Sequence, residues 1–320
     1  MKPKILVSCG KLNFPDDIAD MIKPLAEIVY VTGEYSNELK DASGIIAGIE
    51  PINQAFLEKA PKLGIVSRHG VGYDSVDFET CTKRGIFVTH TPDVLSDAVA
   101  DLTWALILGW YRKIPQADKY TREDWGKKQK GFPFGWDMPA KTLGLLGLGR
   151  IGAEVVKRGV GFRVKMIYHD VVRRQDFEEK YGITYVSFEE LLKTSDIVSI
   201  HVPLIPLTQG MIGREQFLKM KKTALIVNTS RGPVINQKEL TEALEQKLIA
   251  GAALDVYEVE PIPLGEKLLR LDNILVTPHI ASATWETRHR MGERCAESVK
   301  AYLEGKRPPF VIPEQRNFKL

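Results

Sequence analysis

Three short segments of this 320-residue chain each carry a chemically capable side chain just past an apolar run. They are Asn228-Thr229-Ser230-Arg231-Gly232, Leu254-Asp255-Val256-Tyr257-Glu258-Val259-Glu260-Pro261 and Val276-Thr277-Pro278-His279-Ile280-Ala281. A guanidinium orients a carboxylate or carbonyl through paired donors, and an imidazole gives and takes a proton near neutral pH. A carboxylate beside that imidazole favours its charged form. Singly, each has a plain explanation: Arg231 as surface charge, Glu260 before proline as a solvated loop residue, His279 as a satisfied core donor. Together they are harder to dismiss, because ligands of an open parallel sheet bind beyond the carboxyl ends of its strands, where all three fall. Hydride addition to a keto group builds charge on its oxygen, and a cation with a proton donor at that oxygen lowers the barrier.

A second constellation supplies the partner chemistry. The run Thr142–Leu146 leads into Gly147-Leu148-Gly149-Arg150-Ile151-Gly152 and a helical stretch through Val156, and Asp170 closes the next apolar run. A lone G-x-G-x-x-G is weak, but strand, glycines, helix and acidic residue at this spacing meet the structural condition for dinucleotide binding. Gly147 allows the tight turn, Gly149 lets the backbone approach a pyrophosphate, and Gly152 permits close packing of helix on strand. Asp170 is suited to a ribose hydroxyl and would repel a 2′-phosphate, so NAD is expected rather than NADP; Arg173 and Arg174 just beyond are the features that would admit NADP.

The elements that must position these residues are legible as Val-, Ile- and Leu-rich runs, each followed by an amphipathic stretch, the pattern of βαβ units and a parallel sheet. The class is α/β. The spacing predicts strands at Lys4–Ser8, Glu27–Val31, Gly44–Ala47, Leu63–Ser67 and Ile86–Thr89, then at Thr142–Leu146, Lys165–Tyr168, Ile197–His201, Ala224–Asn228, Ala250–Leu254 and Ile274–Thr277. Helices are expected over Ser96–Trp110, between the two series, and over Trp285–Leu303 after the second. The length suits two domains.

With 44 basic and 41 acidic side chains the charge is nearly balanced, and no nucleic-acid partner is written into the composition. Cys9, Cys81 and Cys295 are far apart and form no C-x-x-C, so neither a disulfide framework nor a zinc site is expected, and metal is absent from the reading. No apolar run reaches the length of a membrane span and the first residues do not read as a signal peptide, which points to a cytoplasmic protein with no membrane partner.

These motifs, their order and their intervals resemble the D-isomer-specific 2-hydroxyacid dehydrogenase family over nearly the whole chain. The resemblance includes Arg68-His69-Gly70-Val71-Gly72-Tyr73-Asp74-Ser75-Val76-Asp77, the linking helix, and His201-Val202-Pro203-Leu204 with Thr208. It implies two Rossmann/flavodoxin-like doubly wound parallel-sheet domains with the active site in the cleft between them. Residues 1–98 plus 288–320 would form the substrate-binding domain and 99–287 the NAD-binding domain, with hinges around Pro92–Ser96 and Ser282–Glu286. It assigns Arg231 to the substrate carboxylate and carbonyl, His279 to general acid–base work and Glu260 to pairing with that histidine. Cofactor contacts are implied for Leu148 to Ile151, Asp170, Thr229, Ser230, Arg231, Asp255 and His279 to Ala281, with His201, Pro203 and Thr208 adding to them. Val71 and Gly72, in a glycine-rich turn, are expected to present backbone amides to the substrate carboxylate as a nest.

Within this resemblance Glu260 departs from formate dehydrogenases, whose histidine pairs with glutamine, so a 2-hydroxy or 2-keto acid is expected. The acidic Gly48-Ile49-Glu50-Pro51 weighs toward a small acid such as glyoxylate or hydroxypyruvate. Arg68, Arg288 and Arg290 keep a phosphoglycerate-type or other doubly anionic substrate open, and an NAD-sensing corepressor-like protein is the alternative of another class. The aromatic stretch around Trp125, Phe132, Phe134 and Trp136, among Lys127, Lys128 and Lys130, suggests a homodimer contact; a loop folded onto its own domain is the plain alternative.

Overall fold

The computed structural model describes residues 2–127 and 131–318. Five strands, β1 (Lys4–Val7), β2 (Glu27–Tyr30), β3 (Ala42–Ala47), β4 (Ile65–Arg68) and β5 (Phe87–Thr89), form a parallel sheet in the order β2-β1-β3-β4-β5. Seven more, β6 (Thr142–Leu146), β7 (Lys165–His169), β8 (Thr184–Tyr185), β9 (Ile197–Ile200), β10 (Leu225–Asn228), β11 (Gly251–Leu254) and β12 (Ile274–Val276), form a second parallel sheet ordered β12-β11-β10-β9-β6-β7-β8. Both are doubly wound. The first reverses direction between β1 and β3 and the second between β6 and β9, so each has its own switch point. The edge strand β8 left no sequence signal because two residues are too few to show alternation.

Alternation explains why apolar runs suit these strands. Leu225 and Val227 enter one core of the second sheet while Ile226 enters the other, and every one of them is fully buried. The first sheet does the same, with Leu6, Ile45 and Val66 on one side and Ile5, Ile46 and Ile65 on the other. Each such side chain contributes about 1.5–3 kcal/mol by leaving water.

The chain divides into two compact units, one built from residues up to Leu95 together with those from Ala283 onward, the other from Ser96–Ser282. The crossings expected near 98 and 287 therefore fall a few residues earlier. The reason is that helix Ser96–Tyr111 belongs whole to the second unit and helix Trp285–Leu303 whole to the first. Thr284 caps the latter by accepting from the Thr287 amide at 3.2 Å, and its Cys295, Ala296 and Val299 fill the core beside β4. Among the described residues no helix is long and apolar enough to cross a membrane.

Candidate active site

The histidine and the acid meet. His279 Nδ1 and Glu260 Oε2 are 2.6 Å apart, and Glu260 Oε1 accepts from the Tyr257 amide at 2.9 Å. Both side chains are half-buried. Burial alone would raise the Glu260 carboxyl, but the hydrogen bond and charge of His279, the Tyr257 amide and the Arg231 charge outweigh it and hold Glu260 below the usual carboxylate range. Its folded value thus lies below its unfolded one. The stabilising contribution is complete above the unfolded range and is lost only as pH falls through the folded value. Glu260 is accordingly a carboxylate at neutral pH. Glu260→Gln removes this partner, and the alkaline limb of the pH profile for kcat/KM in the reducing direction is expected to move to lower pH, with about a tenfold loss at neutral pH. An unchanged profile would show that the pair does not tune proton transfer.

His279 adopts a left-handed backbone conformation, φ 52°, uncommon for a residue with a side chain. Asp255 explains how it is held. This fully buried carboxylate accepts from Thr277 Oγ1 at 2.6 Å, the Ile280 amide at 2.9 Å and the Ala281 amide at 2.8 Å, while its backbone carbonyl takes the His279 amide at 2.9 Å. Burial raises the Asp255 carboxyl above its usual range against those bonds and the neighbouring His279. Asp255 therefore braces the loop that carries His279 and Ala281, a duty that the spacing of residues did not reveal.

Arg231 follows β10 at the N-cap of a short 3-10 turn, Gly232–Val234. Buried Asn228 organises the approach: its Oδ1 accepts from the Ser230 amide (3.0 Å) and hydroxyl (2.9 Å), and its Nδ2 donates to the Arg231 carbonyl (2.9 Å). Gly232 is required because a Cβ there would lie 1.9 Å from the Tyr257 carbonyl. Thr103, buried on helix Ser96–Tyr111, donates to the Val99 carbonyl at 2.8 Å, so Thr229 Oγ1 is the donor in their 2.9 Å contact. The hydroxyls of Ser230 and Thr229 are thus both engaged in holding the loop. The bracing roles of Asn228 and Thr103 were not read from sequence.

The dinucleotide fingerprint occupies the β6/β9 switch point. Gly147 has φ 96°, and a Cβ there would come within 2.9 Å of His201 and Val202 backbone atoms; one on Gly152 would come within 2.4 Å of the Gly147 carbonyl. Around Gly149, by contrast, nothing lies within 4 Å of an added Cβ. Helix Arg150–Gly159 starts there, and its first-turn amides have no partners within the helix. Open space over Gly149 facing a positive helix end is a cradle that a diphosphate fits. Asp170 Oδ2 accepts from the Leu148 amide at 2.6 Å and Oδ1 from the Val172 amide at 3.2 Å, fixing a carboxylate beside that cradle. Arg173 and Arg174 turn instead to Glu178 (2.7 Å) and Asp176 (2.8 Å).

His201 lies across the switch point with Nε2 2.8 Å from Ser199 Oγ and Nδ1 buried without a hydrogen-bond partner; burial pushes its pKa down to about 4, so the ring is neutral. Pro203 is exposed, and Thr208 accepts from the Ile205 amide at 3.0 Å and donates to the Pro203 carbonyl, bracing that loop. Val71 and Gly72 lie in the first unit, beyond β4. Neither Gly70 nor Gly72 takes a left-handed φ, so the turn that carries the Val71 and Gly72 amides is built without one. Gly70 is glycine for space: a Cβ would meet the Arg68 guanidinium at 2.6 Å. Among the described residues no group of three His, Cys, Asp or Glu side chains is placed to hold a metal.

A dinucleotide cradle and an Arg–His–Glu set on one doubly wound sheet define a nicotinamide-type oxidoreductase. Residues 104–281 match the model of the D-isomer specific 2-hydroxyacid dehydrogenase, NAD binding domain. The chain is 47% identical over 282 residues to a glyoxylate reductase of Korarchaeum cryptofilum, covering 87% of this chain and 84% of that one. Among solved structures it resembles the NADPH-dependent glyoxylate/hydroxypyruvate reductase of Sinorhizobium meliloti in complex with NADP and malonate, with a TM-score of 0.88, 30% identity and 98% of each chain covered. It also resembles the D-lactate dehydrogenase of Aquifex aeolicus complexed with NAD and lactic acid, with a TM-score of 0.84, 31% identity, and 94% and 96% covered. The chain belongs to the D-isomer-specific 2-hydroxyacid dehydrogenase family and carries its NAD-binding domain.

Proposed function

We propose that this oxidoreductase reduces glyoxylate, and hydroxypyruvate beside it, to the corresponding 2-hydroxy acid, using NADH in preference to NADPH. The observation that carries the reading is the 2.6 Å pair of His279 and Glu260, whose carboxylate also lies in the field of the Arg231 charge. In the proposal Arg231 binds the carboxylate and keto oxygen of the acid, its fork matching both. His279, charged and held by Glu260, gives its proton to that oxygen as negative charge develops there. The nicotinamide supplies the hydride when bound. In the reverse direction neutral His279 takes the proton back.

The cofactor preference is supported by the fixed Asp170 carboxylate and by the acidic partners that already engage Arg173 and Arg174. The contacts are proposed at Gly147 to Gly152, Asp170, His201, Pro203, Thr208, Thr229 to Arg231, Asp255, His279 and Ala281, and substrate contacts at Val71, Gly72, Arg231 and His279. The small-acid preference is supported by the likeness to a glyoxylate reductase and a glyoxylate/hydroxypyruvate reductase and by Arg68, whose guanidinium lies over Gly70 and donates to the His69 carbonyl. Initial rates with glyoxylate, hydroxypyruvate, pyruvate and 3-phosphohydroxypyruvate, each with NADH and NADPH, test this. The expected order places the first two ahead with NADH; preference for the phosphorylated acid, or for NADPH, would overturn it.

A cytoplasmic homodimer completes the proposal. Trp136 stacks on Trp110 (5.4 Å between centroids) and Phe132 meets Tyr120 (5.4 Å), so part of the aromatic stretch folds onto its own unit. Trp125 and Phe134 remain 65% and 95% exposed and are the residues offered to a second copy; Lys128 and Lys130 lie outside the described residues. A solution mass of one chain by light scattering would contradict the dimer.

A further inference from the structure

The turn Gly70–Gly72 is held by the residues that leave β5. The Gly70 carbonyl accepts from the Thr91 amide at 3.0 Å, and the Val71 carbonyl is 2.9 Å from His90 Nδ1, which must therefore be the protonated nitrogen. A trans peptide is planar, with its C=O and N–H pointing opposite ways. Pinning the carbonyls of Gly70 and Val71 toward residues 90 and 91 thus turns the N–H groups of Val71 and Gly72 to the other side. Two consecutive donors face the same way without any left-handed residue. Hydrogen bonding to each carbonyl also polarises the N–H of the same peptide and strengthens it as a donor.

The imidazole is itself clamped. Tyr73 meets it edge to face at 5.4 Å and an interplanar angle of 90°, and the Tyr73 hydroxyl donates to Glu314 at 2.9 Å. The His90 amide donates to the Phe310 carbonyl at 3.0 Å, next to a bridge between Thr89 and Val311. Gln315, fully buried, ties the same C-terminal segment to the Val88 amide (2.7 Å) and the Ile86 carbonyl (2.9 Å).

From these contacts we infer that His90 is a positioning residue for the substrate: its imidazole, held by Tyr73 and the C-terminal segment, orients the Val71–Gly72 peptide so that its amide receives the carboxylate of the keto acid. This rests on the proposed role of Val71 and Gly72. In this role His90 acts through the Val71–Gly72 peptide, and its effect falls on substrate affinity.

The test has two arms. In steady-state assays His90→Ala is expected to raise KM for glyoxylate about tenfold, the loss of one oriented hydrogen bond, with kcat within about twofold and NADH affinity unchanged. His90→Asn, whose side-chain amide can replace the Nδ1 donor, is expected to return KM to within about threefold of the parent. Should the alanine variant not fold, Tyr73→Phe, which frees the clamp from Glu314, carries the same signature at about twofold. In the second arm the Val71 and Gly72 amide resonances of the parent enzyme with NADH are followed while oxamate is added. Shifts in both support the carboxylate reading, and their absence overturns that reading and the inference with it. Shifts in both with an unchanged KM in the His90 and Tyr73 variants, or a loss that falls on kcat, overturn the role of His90 alone.

Discussion

His279→Ala is expected to lower kcat/KM for glyoxylate reduction by about 10²–10⁴-fold, the usual worth of a positioned general acid, while the folded state survives. The imidazole is only half-buried and its Nδ1 meets Glu260, so truncation leaves no large cavity and opens the site to water. The loop keeps its form because Asp255 grips Thr277, Ile280 and Ala281 rather than the imidazole. The loss should fall on kcat. A kinetic and thermal comparison with the parent checks this: a variant that keeps its rate but unfolds at a lower temperature would make His279 a structural residue.

Arg231→Ala is the second large effect, about 10²–10³-fold in kcat/KM, shared between a higher KM and a lower kcat because the guanidinium is proposed to hold the carboxylate in the ground state and the oxygen as charge builds. Arg231→Lys is expected to recover little of it, since an ammonium keeps the charge but not the planar fork. The backbone that carries Arg231 is fixed by Asn228 Nδ2 on its carbonyl and by Gly232 against Tyr257, neither of which needs the side chain. A lysine variant with parental KM would show that only charge, and not bidentate geometry, is used.

The residues proposed to carry the chemistry stand out in sequence because chemistry restricts their types and the sheet restricts their places. Arg231, Glu260 and His279 each follow a strand of the second sheet, those before Arg231 and Glu260 fully buried, and the three glycines from Gly147 to Gly152 precede a helix at a switch point. Strand runs were legible for the same reason: both faces of each sheet are covered, so Leu225, Ile226 and Val227 are all apolar. What escaped was the bracing. Thr103 and Thr229 are 126 positions apart, and Asp255 reaches Ala281 across 26, separations that leave no periodic trace. The reason for Gly70 was not legible, since a glycine kept for space beside the Arg68 guanidinium looks identical in sequence to one kept for a turn. The aromatic stretch was only partly legible, because the stacking of Trp136 depends on Trp110, a residue of the distant linking helix.

The central claim, direct reduction of a small keto acid by the nicotinamide at the His279 site, is tested most directly by supplying glyoxylate with NADH deuterated at the transferable position and examining the glycolate by mass spectrometry. The account predicts steady turnover at an ordinary enzymatic rate, about 1–10³ per second, with deuterium on the carbinol carbon of the glycolate and a loss of product in His279→Ala. Tight NADH binding with no glycolate formed, or glycolate without deuterium, would contradict it.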